Sequence, residues 1–197
     1  MAGARAVLYD LGANSWGSSL GWLLEHYPIR FDRAFGWEPN AAFLRGTGGV
    51  PSSHRHMATV FQARAAVEWA PLQACAQAIA AAGGPGRLRA PRSDCSQFDF
   101  PEFLGATARR EDFVVVKIDC EGLEWAILDQ LLERGLAHLV DEMFVEFHYD
   151  RELPAGTADG WAPAARRSYP GRTFYKADAE RYMRQWRELV PAFHLWA

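Results

Sequence analysis

Four apolar stretches of this sequence each run out into a carboxylate. Ala6–Asp10 closes on Asp10, Arg33–Trp37 on Glu38, Phe113–Asp119 on Asp119, and Met143–His148 carries Glu146. A buried strand tolerates charge only where it is paired or used. In an open α/β sheet the ligand crevice lies outside the carboxyl ends of the strands, so acids at the ends of several such strands converge on one rim. A single strand-end acid is explained by capping of the next helix; one on each strand is more than capping requires. Glu146 and His148 stand two apart, so on one strand they share a face, and Asp119 and Glu121 close the neighbouring strand. Two carboxylates and an imidazole are the parts of a general base, of a divalent-cation site or of an ordering network at the rim. The base or substrate-orienting role is the expectation for Asp119, Glu121, Glu146 and His148, and no metal ligand is assigned. Cys120 lies between Asp119 and Glu121, whose charges disfavour a thiolate, so no nucleophile is expected there. His54 and His56 fall in a loop-like stretch and read as surface.

The first of these acids opens a glycine turn, Asp10-Leu11-Gly12-Ala13-Asn14-Ser15-Trp16-Gly17-Ser18-Ser19. Strand, glycine turn, helix is the entry to a nucleotide site in open α/β folds. Glycine permits tight backbone geometry and close ligand approach, and a helix start offers free N–H donors. The spacing is Asp-x-Gly-x-x-x-x-Gly, not the G-x-G-x-x-G of dinucleotide enzymes. A carboxylate before the first glycine repels a pyrophosphate and suits an ammonium group, which points to S-adenosylmethionine (SAM) rather than NAD. Glu38 follows the turn by roughly 25 residues, where an acid accepts hydrogen bonds from both ribose hydroxyls. It speaks for an adenosine ligand without choosing between the two.

The elements that must position these groups follow from the apolar pattern. The expected helices are Gly17–Tyr27, a short Ala41–Arg45, Leu72–Ala82, Phe98–Leu104, Leu123–Arg134 and Lys176–Val190. The remaining strands are Met57–Phe61, a run at 65–69 that extends or follows it, and Ala192–Trp196. The continuous run Phe113–Asp119 suits a strand buried on both faces, as in a parallel sheet. Gly83-Gly84-Pro85-Gly86 is a breaker, and 153–172 reads as a Pro/Gly-bearing loop. The alternation of strand and helix predicts one α/β domain spanning 1–197, Rossmann-like, with a single mainly parallel sheet flanked by helices.

Composition narrows the field of partners. The 197 residues are 49% hydrophobic with a net charge of −3, an ordinary globular balance without a footprint for nucleic acid or an anionic membrane. No apolar stretch approaches the roughly 20 residues of a membrane span. The cysteines Cys75, Cys95 and Cys120 have no C-x-x-C spacing, so a reducing, cytoplasmic compartment is the default. The first strand starts close to Met1, which leaves an upstream targeting segment open. A small-molecule acceptor is the expected partner, and the oligomeric state is not set by the sequence.

Four segments together carry a family resemblance: Tyr9-Asp10-Leu11-Gly12, Gly36-Trp37-Glu38-Pro39, Val116-Lys117-Ile118-Asp119-Cys120-Glu121-Gly122-Leu123-Glu124 and Val145-Glu146-Phe147-His148. They resemble the FkbM-type SAM-dependent methyltransferases, whose most recognisable mark is Lys-Ile-Asp-x-Glu-Gly-x-Glu. Gly17-Ser18-Ser19, Asp141-Glu142, Glu146-Phe147-His148-Tyr149 and His194-Leu195-Trp196 look most like the plant and green-algal branch. The resemblance covers most of the chain outside 70–92 and 153–172. It implies a class I methyltransferase fold with a seven-stranded sheet and O-methylation of a small molecule or sugar hydroxyl. By position it places Asp10, Gly12 and Asn14 at the methionine part of SAM, Glu38 at the ribose, Ala66 near the adenine and Asp119 at the transfer crevice, with Gly17 as a further cofactor-binding residue. Covering N-terminal helices are missing, and only one strand follows the last helix. The alternatives are a SAM-binding or inactive interaction module, and a nucleotide-cofactor oxidoreductase.

Overall fold

The computed structural model describes residues 3–45, 49–62, 64–66, 97–149 and 173–196. The strands are β1 (Ala6–Leu11), β2 (Arg33–Trp37), β3 (Ala58–Phe61), β4 (Arg64–Ala66), β5 (Gln97–Asp99), β6 (Phe113–Ile118), β7 (Glu142–Val145) and β8 (Ala192–Leu195). The helices are α1 (Leu20–His26), α2 (Phe100–Thr107), α3 (Glu124–Glu133) and α4 (Lys176–Leu189). Six strands form one sheet in the order β3-β2-β1-β6-β7-β8, and every pairing in it is parallel. This is a Rossmann-like α/β fold. β4 and β5 form a separate parallel ribbon.

The central strands are apolar on both faces because both are covered. Val7, Tyr9 and Leu11 of β1 and Val114, Val116 and Ile118 of β6 face α2, α3 and α4, packing with Phe103, Ile127, Leu128 and Trp186. Leu8 and Val115 face the other way, toward Leu20 and Leu23 of α1. In α3 the buried Ile127, Leu128 and Leu131 recur at helical spacing, and Gly135, at φ +66°, closes its C-terminal turn. Along α4, Ala179, Tyr182 and Trp186 form the buried stripe, and Phe174 before it stacks on Trp125 with ring centroids 4.2 Å apart.

Several expectations are corrected. α1 starts at Leu20, after Gly17, because Ser18 and Ser19 turn their hydroxyls back onto the loop: Ser18 Oγ donates to the carbonyls of Ala13 and Ser15. Residues 41–44 form a turn rather than a helix; the Asn40 side chain accepts from Ala42 N at 3.0 Å, a local bond that competes with helix. Phe98 lies in β5, and α2 begins at Phe100 under an Asp99 cap, whose carboxylate accepts from Glu102 N. β7 stops at Val145, so Glu146 and His148 lie beyond the strand. β8 is parallel to β7, and the implied seven-stranded sheet has six strands among the described residues. The expected helix Leu72–Ala82, the breaker at 83–86 and the loop 153–172 lie outside the described residues.

The far ends of β1 and β6 are latched by one ion pair. Buried Asp112 accepts from Arg5 N and Nε, each at 3.1 Å, and pairs with the guanidinium. It also accepts from Arg109 N. The Arg5 hydrogen bond holds the Asp112 carboxyl below its ordinary range. A lowered folded-state pKa contributes stability above the unfolded value of about 3.9 and loses it as the pH falls through the folded one. Asp112→Asn is therefore expected to cost about 1–3 kcal/mol at pH 7. In urea denaturation across pH 7 to 2, its deficit against wild type should shrink in the acid range. A deficit independent of pH would count against the latch.

Candidate functional site at the carboxyl ends of the parallel strands

Lys117 is the one charged residue in β6 and is 1% exposed. The β1–β6 register sets it directly opposite Asp10, so the two side chains share a face. Its Nζ lies 3.4 Å from Asp10 Oδ1 and 3.2 Å from Asp119 Oδ2, and donates to the Gly12 carbonyl at 2.9 Å. Burial works against the ammonium, but the charges of Asp10 and Asp119 outweigh it and raise its pKa. Asp10 is fully buried; Ser19 Oγ donates to its Oδ2 at 2.6 Å, and burial pushes its pKa up despite Lys117. The turn above is equally constrained. Gly12 sits at φ +81°, and a Cβ there would lie 1.8 Å from the Asp119 carbonyl oxygen. Glycine is required on both counts.

A cleft of about 560 Å³ opens over this turn, beyond the carboxyl ends of β2 and β3 and of the adjoining pair β1 and β6. That pair marks the switch point of the strand order, the usual ligand position in an open α/β sheet. Its walls are Gly12 and Asn14 after β1, Glu38 to Phe43 after β2, Gln62 after β3, and Asp119 to Glu121 after β6. Glu38 is 6% exposed. Its two oxygens accept separately from Asn14 N at 3.0 Å and Asn40 N at 2.6 Å. Burial raises its pKa against the pull of those two N–H groups. Each oxygen keeps a further lone pair for a ligand hydroxyl. Phe43, 42% exposed, supplies an aromatic face at the rim.

Beside the cleft, His148 gathers the remaining acids. Its side chain is 10% exposed. Nδ1 lies 3.2 Å from Oε1 of the fully buried Glu124, which also accepts from His148 N at 2.8 Å. Nε2 faces Glu121 at 3.6 Å, Glu146 at 3.7 Å and Asp119 at 3.8 Å. Burial opposes protonation of the ring, yet the Glu124 bond and the charges of Glu124, Glu121 and Asp119 bring its pKa above the ordinary value. Burial, then Asp119, raises that of Glu146. Glu121 and Gly122 both hold positive φ, +52° and +105°, which turns the chain from β6 into α3 and aims Glu121 at the histidine.

The sequence-predicted residues thus fall into distinct places. Gly12, Asn14, Glu38, Asp119 and Glu121 line the cleft. Glu146 and His148 join Asp119 and Glu121 beside it. Asp10 is not among the residues lining the cleft; Lys117 and Ser19 hold its carboxylate beneath the turn. Gly17 is exposed and not part of the cleft wall, because the loop carries it past the turn. Ala66 ends β4, paired with Asp99; its side chain lies outside the described set. His56 is exposed and His54 half-buried against Trp16, ring centroids 5.0 Å apart. Cys120 is buried, and burial followed by Glu124 pushes its thiol well up.

Lys117, Glu124 and Gln62 were missed as site residues. Lys117 had a signal: a cation inside an otherwise apolar, doubly covered strand. Glu124 stood in the segment that carries the resemblance but was given no role, and nothing local marks Gln62.

Three substitutions test the support. Lys117→Met is expected to destabilise the fold by about 3–5 kcal/mol in urea denaturation, since it strands a buried carboxylate. Adding Asp10→Asn should recover part of that loss, and strictly additive effects would rule out the pairing. Gly12→Ala is expected to lose at least about 2 kcal/mol from φ strain and overlap with Asp119; a melting curve matching wild type would contradict the turn geometry. No protein-family model, curated protein or solved structure matches this chain.

Proposed function

We propose that the chain binds S-adenosylmethionine in the cleft and acts as an FkbM-type methyltransferase on a hydroxyl group of a small molecule or sugar. The observation that carries the reading is Glu38. It is a buried carboxylate fixed by two backbone N–H groups, it lines the cleft at the switch point, and each oxygen has a second lone pair. That arrangement suits a ribose diol. The Gly12–Asn14 turn is the place for the amino-acid end, with the exposed Asn14 side chain beside it. Phe43 and the half-exposed Pro39 offer apolar surface for a purine.

When bound, the sulfonium compound supplies an activated methyl group. The chain's part is to hold the acceptor in line with that methyl, to exclude water and to take the hydroxyl proton. Asp119 reaches the cleft wall with 26% of its side chain exposed, and His148 lies behind it. One of these two, Asp119 or His148, is assigned to the proton. A dinucleotide is a poorer fit: the Gly12–Ser19 loop keeps the first turn of α1 away from the glycine, so the helix donors that receive a pyrophosphate are not at the cleft.

Calorimetry with SAM, its demethylated product and NAD tests the reading. Binding of the first two without NAD is expected, and Glu38→Gln should weaken SAM by about tenfold or more. Absence of binding by SAM and its product would remove the assignment. Given binding, Asp119→Asn or His148→Ala should keep SAM affinity while turnover on a hydroxyl acceptor drops about 10²-fold or more. Binding without turnover on any hydroxyl acceptor would leave a SAM-binding module.

A further inference from the structure

The arrangement around His148 offers a second use of Nε2 in place of the base: a ring nitrogen that ligates a cation has no lone pair left for a proton. His148 Nε2 stands 3.6 Å from Glu121 Oε2, 3.7 Å from Glu146 Oε1 and 3.8 Å from Asp119 Oδ1. All three separations exceed a hydrogen bond, about 2.7–3.2 Å. They match the ~3–4 Å between neighbouring ligands around one cation held by bonds of about 2.0–2.2 Å. One ligand atom each from Asp119, Glu146 and His148 lies within 4.8 Å of the others.

The histidine is set up for this from behind. Its side chain is nine-tenths buried, and its Nδ1 is held by Glu124, a carboxylate with no exposed surface. Glu124 is itself fixed by Gly122 N at 2.8 Å and His148 N at 2.8 Å. A buried carboxylate on one ring nitrogen fixes the tautomer and aims the lone pair of the other, the usual support of a metal-ligating histidine. Here the aimed nitrogen is Nε2, and it points into the gap between the three acids.

We propose that Asp119, Glu146 and His148 form a divalent-cation site beside the cleft. Carboxylates with one imidazole suit Mn²⁺ or a similar divalent cation. Asp119 also lines the cleft, which joins the site to it. The ligand the cation would take is an oxygen donor, a hydroxyl or carboxylate of a molecule in the cleft. The site stands on these residues alone and does not depend on the SAM reading.

Mn²⁺ titrated into the full chain, followed by the electron paramagnetic resonance signal of the free ion, tests this without any nucleoside. Loss of signal for one equivalent is expected in wild type. Glu146→Gln and His148→Ala should each weaken binding by about tenfold or more. Glu111→Gln, an exposed acid away from the cluster, should leave it unchanged. Glu146 is 37% exposed, so its variant is expected to fold, and the melting temperature of each variant is measured alongside. A full free-ion signal over wild-type protein would overturn the site and leave a protonated His148 as the answer to the carboxylates. Binding that Glu146→Gln does not alter would overturn it equally. Failure here leaves the nucleoside reading intact, and failure of SAM binding leaves the cation result intact.

Discussion

One buried ammonium group decides what the carboxyl edge of this sheet can be. Lys117 lies between Asp10, its partner in strand register, and Asp119, two residues along its own chain. None of these charges is cheap where it sits, since a buried ion is tolerated only with its partners in place. Together they tie β1 to β6 at the point where the strand order changes direction. The same Nζ takes the Gly12 carbonyl, so the turn that floors the cleft is fixed by the pair beneath it. Trp196, just beyond β8, lies over Nζ at 5.6 Å, which links the sheet edge to its centre through a cation–π contact.

From this pair outward the acids separate by depth. Asp10 is enclosed and supports. Glu38 is nearly enclosed but lines the cleft. Asp119 bridges the two zones, with one oxygen on Lys117 and the other toward His148. Glu121 and Glu146 are the most exposed, and Glu124 is hidden behind the histidine it orients. Carboxylates so close together cannot all be read alike: burial and pairing assign support to some and leave others available to a ligand.

The parallel sheet was legible because the two central strands carry apolar runs broken only near their ends, by Asp10 in β1 and Lys117 in β6, and α3 and α4 because their buried residues recur at helical spacing. The convergence of Asp119, Glu121, Glu146 and His148 was legible too, though for Glu146 and His148 the reason was incomplete. Strand alternation put them together in the sequence, whereas the structure ends β7 at Val145 and joins them through Glu146 N bonded to the Ile118 carbonyl. What escaped the sequence depended on contacts between distant segments. The pairing of Asp10 with Lys117 was hidden because the two are far apart in the chain, and Gly17 looked like part of the turn because Ser18 and Ser19 are as compatible with a helix start as with the back-bonded loop they form.

The strand order by itself does not select a nucleotide. In chain order the main sheet runs 3-2-1-4-5-6, which is also the order of dinucleotide-binding sheets. The discrimination lies in the first connection. A pyrophosphate site needs the glycine turn to feed directly into a helix whose N–H groups face the crevice. Here Gly12 and Ala13 both donate to the Trp37 carbonyl, Asn14 N goes to Glu38, and the chain travels to Ser19 before α1 begins. The donors nearest the cleft are already committed to β2 and its acid, so what remains at the opening is lone pairs and carboxylate charge. Such a surface favours hydroxyls and cations over phosphates, and both the sulfonium nucleoside and the divalent ion belong to that class.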